Sequence, residues 1–170
     1  MTAGRNRVVK PKSLHRARQT GATLLMMLVA VAASPAGACD TGAARTVEAI
    51  YKAFQSDDLF NNFDPAIYSA RIKPAVKGWL ARCEGNPEEE GCMIDSNFFT
   101  EGNDVKLSRL KVTCLSGDAA KSRVVATFRN FDEPITKVFD MVKEGDRWLI
   151  DEMADSTDGK GFLGEIFKAP

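Results

Sequence analysis

The sequence predicts an α+β fold, with N-terminal helices packed on a twisted antiparallel sheet of about four strands. Three observations predict it. Apolar residues recur at helical spacing as far as about residue 83. The period falls to two from Val105 onward. The strand-like segments then follow one another through short turns, which implies an antiparallel meander with helices on one face.

The first helix is read from "ARTVEAIYKAFQS", where Val47, Ile50, Tyr51 and Phe54 stand at i, i+3, i+4 and i+7. Asp64-Pro65 reads as an N-cap followed by proline at the first helical position. The stretch after it places Ile67, Tyr68, Ile72, Ala75, Val76, Trp79 and Leu80 on a helical face. Pro74 lies inside that stretch, so a kink or break is expected near Lys73. "CEGNPEEEGCMIDSNFFTEGND" reads as a linker with a short extended piece around Met93 and Ile94.

In the second half, Leu110, Val112 and Cys114 share one face of the first strand. "SGD" turns the chain at 116–118, and Val124, Ala126 and Phe128 share a face of the second strand. Pro134 opens the third strand, where Val138 and Val142 oppose Phe139 and Met141. "EGDR" is a hairpin signal leading into a fourth strand, "RWLIDEM". "GFLGEIFKAP" reads as a short amphipathic helix bearing Phe162, Leu163, Ile166 and Phe167.

Residues 1–38 read as a signal peptide and 39–170 as one domain. Six Lys/Arg and no acid precede an apolar run of about twelve residues, "ATLLMMLVAVAA", which is too short to span a bilayer. Ala36-Gly37-Ala38 then offers a cleavage site. Removing this leader leaves seventeen basic against twenty-three acidic residues, a net charge of −6. That argues against nucleic acid and anionic membrane and is compatible with a basic protein partner. The single histidine, His15, leaves with the leader. A Ser-His-Asp or Cys-His nucleophile system is then excluded, and the commonest transition-metal ligand is missing. No metal, no cofactor and no catalytic residue is expected, and the protein is read as a non-enzyme. Its expected location is the periplasm.

Cys39, Cys83, Cys92 and Cys114 would sit in an oxidising compartment, where they should pair. Cys83 and Cys92 bracket a short loop rich in Gly, Pro and Asn, so they are paired with each other, leaving Cys39 with Cys114. The alternative is a lipid on Cys39 and a buried free thiol at Cys114. Ala36 stands where a lipid-attachment box wants a larger aliphatic residue, which favours the disulfide.

Three regions are candidate sites. Glu88, Glu89 and Glu90 lie at the tip of the Cys83–Cys92 loop, as an acidic finger for a partner's basic cleft or as a solvated surface loop. Tyr51, Trp79, Phe128, Phe139, Met141 and Trp148 line a pocket between helices and sheet, or form ordinary core. Asp95, Asp140 and Asp151 are the available carboxylates there, with Asp140 and Asp151 across a Gly-turn hairpin. "IDSNFF" reads as an ordered turn whose Phe98 and Phe99 anchor the linker, with too few oxygen ligands for calcium.

The order of elements resembles the cystatin-like, nuclear-transport-factor-like cone fold. The segments "VEAIYKAF", "IDSNFFTEGNDVKLSRLKV", "SRVVATF" and "DRWLIDEM" further resemble a domain-of-unknown-function family of exported bacterial proteins with that fold, over roughly 44–153. Trp148, Ile150 and Asp151 occupy its terminal Trp-x-Ile-Asp pattern. The Cys83–Cys92 loop is not part of the match. Members include periplasmic lipoproteins and immunity proteins that neutralise peptidoglycan amidases delivered by type VI secretion. The resemblance therefore implies a non-catalytic immunity protein for a cell-wall amidase. The alternative is a small-ligand-binding or enzymatic cone domain using the apolar pocket. A homodimer through an exposed strand edge is compatible with either.

Overall fold

The structure is a computed structural model that describes residues 39–56, 61–89, 91–92, 94 and 97–168. The signal-peptide reading of 1–38, and the readings placed on Glu90, Met93 and Asp95, lie outside these residues.

Helix α1 runs Thr41–Gln55, starting six residues before its apolar stripe begins at Val47. The reason is Asp40, whose carboxylate accepts from the Gly42 N–H at 2.7 Å and caps the helix. Val47, Ile50 and Tyr51 are buried, as the spacing requires, together with Ala43. After Asp64 the expected helix shrinks to one 3₁₀ turn, Pro65–Ile67. Tyr68 is extended and forms a parallel bridge with Ile150, and the Ser69 N–H donates to the Ile150 carbonyl at 2.8 Å. Helix α2 then runs Lys73–Gly85. Pro74 therefore sits in its first turn, where a missing N–H costs nothing, and the break expected near Lys73 becomes the helix start.

Four strands follow: β1 Leu107–Gly117, β2 Lys121–Asn130, β3 Glu133–Glu144 and β4 Arg147–Ala154. They form one antiparallel sheet in the order β1-β2-β3-β4. This is the α+β architecture expected, and it is consistent with a cone-like fold. Val124, Ala126 and Phe128 alternate into the core. In β1 the alternation is broken by a bulge between Ser108 and Lys111, where Arg109 adopts φ 55°. The bulge turns Leu107 to the core side along with Leu110, Val112 and Cys114, a three-residue step that period two does not contain. Gly145, at φ 61°, makes the two-residue β3–β4 turn with Asp146. A short helix α3, Leu163–Ile166, returns to bury Leu163 and Phe167.

Both disulfides form. Cys39–Cys114 ties the start of α1 to β1, and Cys83–Cys92 closes the loop after α2. Among the described residues no helix is long and apolar enough to cross a membrane.

Candidate functional site

The stapled loop is built at the end of α2. Cys83 lies in its last turn and bonds Cys92, with the Cα atoms 5.4 Å apart. Between them the Glu89 N–H donates to the Asn86 carbonyl at 3.1 Å, and the Cys92 N–H to the Glu89 carbonyl at 2.9 Å. Gly91 adopts φ 82°, a conformation that side-chain-bearing residues rarely take. The Trp79 indole N–H donates to the Gly91 carbonyl at 2.8 Å, clamping the loop's second half onto α2. Glu88 is exposed. Glu89 is half-buried and leans toward Arg82, with 4.0 Å between Oε1 and Nε. Arg82 Nε and Nη2 are buried and make no hydrogen bond. This part of the acidic segment is therefore held by a covalent staple, two successive turns and an indole clamp. The Cys spacing foretold the staple. The Trp79 clamp had no signal in the sequence, because nothing local relates residue 79 to residue 91.

The aromatic residues proposed for a pocket lie in the core. Tyr51, Phe128 and Phe139 are at most 3% exposed, and Tyr51 stands 4.7 Å from Phe128 and 6.1 Å from Phe139 between ring centroids. The Tyr51 hydroxyl donates to the Phe99 carbonyl at 3.1 Å, so its polar end is satisfied inside. Burial pushes that hydroxyl's proton affinity well up, with the Glu101 charge adding to it. Trp79 stacks on Phe63 at 4.8 Å, beside Phe167. Trp148 packs over the N-terminus of α1, where a Cβ on Gly42 would lie 2.8 Å from the indole nitrogen. Of the residues proposed for the pocket, Met141 lines the cleft that holds Asp140 and Asp151.

Asp140 and Asp151 do share a cleft of about 400 Å³, together with Asp118, Lys121 and Arg123. Arg123 faces Asp140 across the β2–β3 pair at 3.4 Å. Asp151 stands at a β4 bulge and accepts from the Ser69 hydroxyl at 2.6 Å and Arg71 Nε at 3.0 Å. Arg71 also reaches Glu152 Oε2 at 3.3 Å. These surroundings push the two carboxyls apart. Burial raises Asp140 above the ordinary aspartate range; Arg123 opposes this, and Glu152 and Asp151 add to it. Burial opposes the lowering of Asp151, but hydrogen bonds from Ser69 and Arg71 outweigh it and hold that carboxyl below the range. Sequence reasoning named the two aspartates and missed Ser69, Arg71, Arg123 and Glu152, which come from three separate elements.

The sign of each shift gives a prediction. A lowered Asp151 contributes stability above the ordinary aspartate pKa that is lost as pH falls through its folded value. A raised Asp140 does the reverse: its contribution is present in acid and lost as pH rises through the folded value. Asp151→Asn is therefore expected to cost about 1 kcal/mol at pH 7, while Asp140→Asn is at least as stable as wild type. Side-chain carboxyl NMR titration should find Asp140 ionising at the higher pH of the two; the opposite order would refute this account.

The "IDSNFF" turn is ordered as expected at its described positions. Asn97 Oδ1 accepts from the Phe99 N–H at 2.9 Å, and Phe98 and Phe99 are buried. Among the described residues no group of three or more His, Cys, Asp or Glu is placed to hold a metal ion.

No family model matches the chain. No curated protein matches it. Among solved structures it is similar to a phospholipid-binding protein from Ralstonia solanacearum in complex with a phospholipid, at 12% identity and a TM-score of 0.32, over 75% of this chain and 78% of that chain. A likeness that distant says nothing of what this chain binds.

Proposed function

We propose that this protein is a non-catalytic binding protein of the periplasm, and that it recognises a protein partner through the Cys83–Cys92 loop. The observation that carries this reading is the threefold tether of that loop. An acidic segment serving only solubility needs no fixed shape, whereas one ordered beforehand loses less conformational entropy on binding. The net charge of −6 over 39–170 favours a basic partner. The two disulfides fit an oxidising compartment. In its most concrete form, following the family resemblance, the partner is a secreted peptidoglycan amidase and the protein is its immunity factor.

Charge reversal tests this. Glu88→Lys, Glu89→Lys and Glu90→Lys combined are expected to weaken binding of a candidate amidase at least tenfold and to restore its hydrolysis of cell wall. Unchanged affinity sinks the loop as the binding element. The cleft holding Asp140 and Asp151 favours a second reading, a small-ligand or enzymatic domain. Thermal-shift screening that finds a ligand whose effect disappears in Asp140→Asn would support that reading instead.

A further inference from the structure

The β2–β3 hairpin carries Phe131 where both solvent and backbone disfavour it. Asn130 pairs with Glu133, so Phe131 and Asp132 form the two-residue connection. Phe131 stands at φ 53°, a region where glycine and asparagine are usual and a bulky aromatic is an outlier. It is 52% exposed, and only Leu115 accompanies it as an exposed large hydrophobic among the described residues. The tip is also held rigidly. The Phe131 N–H donates to the Lys106 carbonyl at 3.0 Å. The buried Asn130 side chain accepts from the Lys106 N–H at 2.8 Å and donates to the Thr100 and Asp104 carbonyls at 3.1 Å each. The backbone of the tip is thereby fixed beside the apolar surface of Pro134 and Ile135.

That surface is the floor of a cleft of about 440 Å³, where Pro134 and Ile135 lie beside Phe131. Glu101, Asp104 and Glu133 line the same cleft, and no Lys or Arg does. Glu101 is ion-paired to Lys137 at 2.8 Å. Asp104 and Glu133 have no ion-pair partner among the described residues. An aromatic anchor beside two carboxylates that lack an ion-pair partner, Asp104 and Glu133, matches a basic side chain that brings an apolar neighbour with it. The ring face attracts the cation, the carboxylates complete its pairing, and the aliphatic floor takes the neighbour. Continuity supports the same assignment, because Asn103 lines both this cleft and the small one containing Phe63 and Ile94, and Phe63 stacks on the Trp79 that clamps the stapled loop.

We infer that the Phe131 hairpin tip and the cleft beside it form the apolar anchor of a protein interface, seating an Arg or Lys of the partner next to an aliphatic residue. The inference rests on the protein-binding reading above and names a second contact region for it.

The probes are short peptides containing Leu-Arg or Leu-Lys, with Leu-Glu peptides as controls, titrated into the intact disulfide-bonded chain and followed by amide NMR. Basic peptides are expected to shift resonances within 101–104 and 130–135, and Leu-Glu peptides to leave them in place. Phe131→Asn is expected to weaken this binding at least tenfold and to raise the unfolding midpoint, since asparagine suits the turn and water better. The proposal is overturned by an absence of shifts at these residues, by undiminished binding in Phe131→Asn, or by a lower midpoint in that variant, which would make the ring part of the fold. Phe131-dependent binding to phosphatidylcholine vesicles without peptide binding would assign the tip to a membrane and also overturn it. A partner whose affinity depends on Glu88 to Glu90 but not on Phe131 would sink this inference and leave the proposed function standing.

Discussion

Replacing Cys39 and Cys114 together by serine is expected to lower the unfolding free energy by about 4 kcal/mol and the thermal midpoint by about 15 °C. The bridge spans 75 residues of sequence, so its loss returns a long loop's worth of freedom to the unfolded chain. Cys83→Ser with Cys92→Ser should cost less, about 2.5 kcal/mol, because that loop spans only nine residues. The first bridge also anchors the beginning of α1, where Asp40 caps the helix and lies 3.7 Å from Lys143 on β3. Calorimetry of the two double variants checks the order. An equal or reversed ranking would mean that native-state contacts, rather than loop closure, dominate. The same sulfur cannot carry both the disulfide and a thioether-linked lipid, so the intact mass of the mature protein reports which state Cys39 adopts. Two disulfides and no acyl mass is the expected result.

The second large effect is expected at Lys137, and it is asymmetric. Its side chain is 2% exposed, on the core side of β3 with Ile135, Phe139 and Met141. The ammonium lies 2.8 Å from Glu101 Oε1, 2.5 Å from Asp155 Oδ1 and 5.5 Å from the centre of the Phe162 ring. The two carboxylates are about half and two-thirds exposed, so water serves them when the lysine is gone. Lys137→Met should therefore stay within about 1 kcal/mol of wild type. Removing both acids, Glu101→Ala with Asp155→Ala, leaves the buried cation uncompensated and should cost about 3 kcal/mol. Denaturant titration of the two variants distinguishes them. A Met variant as unstable as the double acid variant would show that the lysine's own contacts hold the linker, the post-β4 loop and α3 together.

How far these features were legible depends on how far apart in the chain their partners lie. The Val47–Tyr51 stripe, the alternation of Val124, Ala126 and Phe128, and the Gly145 turn are local, and each was readable from spacing alone. The Cys83–Cys92 bridge was readable because only eight residues lie between its ends. Tyr68 was misread as helical because its bridge to Ile150 links positions 82 residues apart, and Asp64-Pro65 promised a longer helix than one turn. Arg109 carries no local mark in the sequence. Its left-handed φ is imposed by the pairing of β1 with β2, which must bring Leu107 and Leu110 to one face.

The sequence by itself determined the order of elements, the two-period pattern of the sheet, the cysteine partners and the acidic balance of 39–170. These follow from local sterics, side-chain periodicity and composition. Only the tertiary structure decided that Tyr51, Phe128 and Phe139 pack on one another, that Asp140 and Asp151 are pushed in opposite directions, and that Phe131 is held out in solvent. Each of those outcomes depends on which distant groups surround the residue. Burial and the field of neighbouring charges are sums over space, and residues adjacent in space carry no common mark in a linear chain.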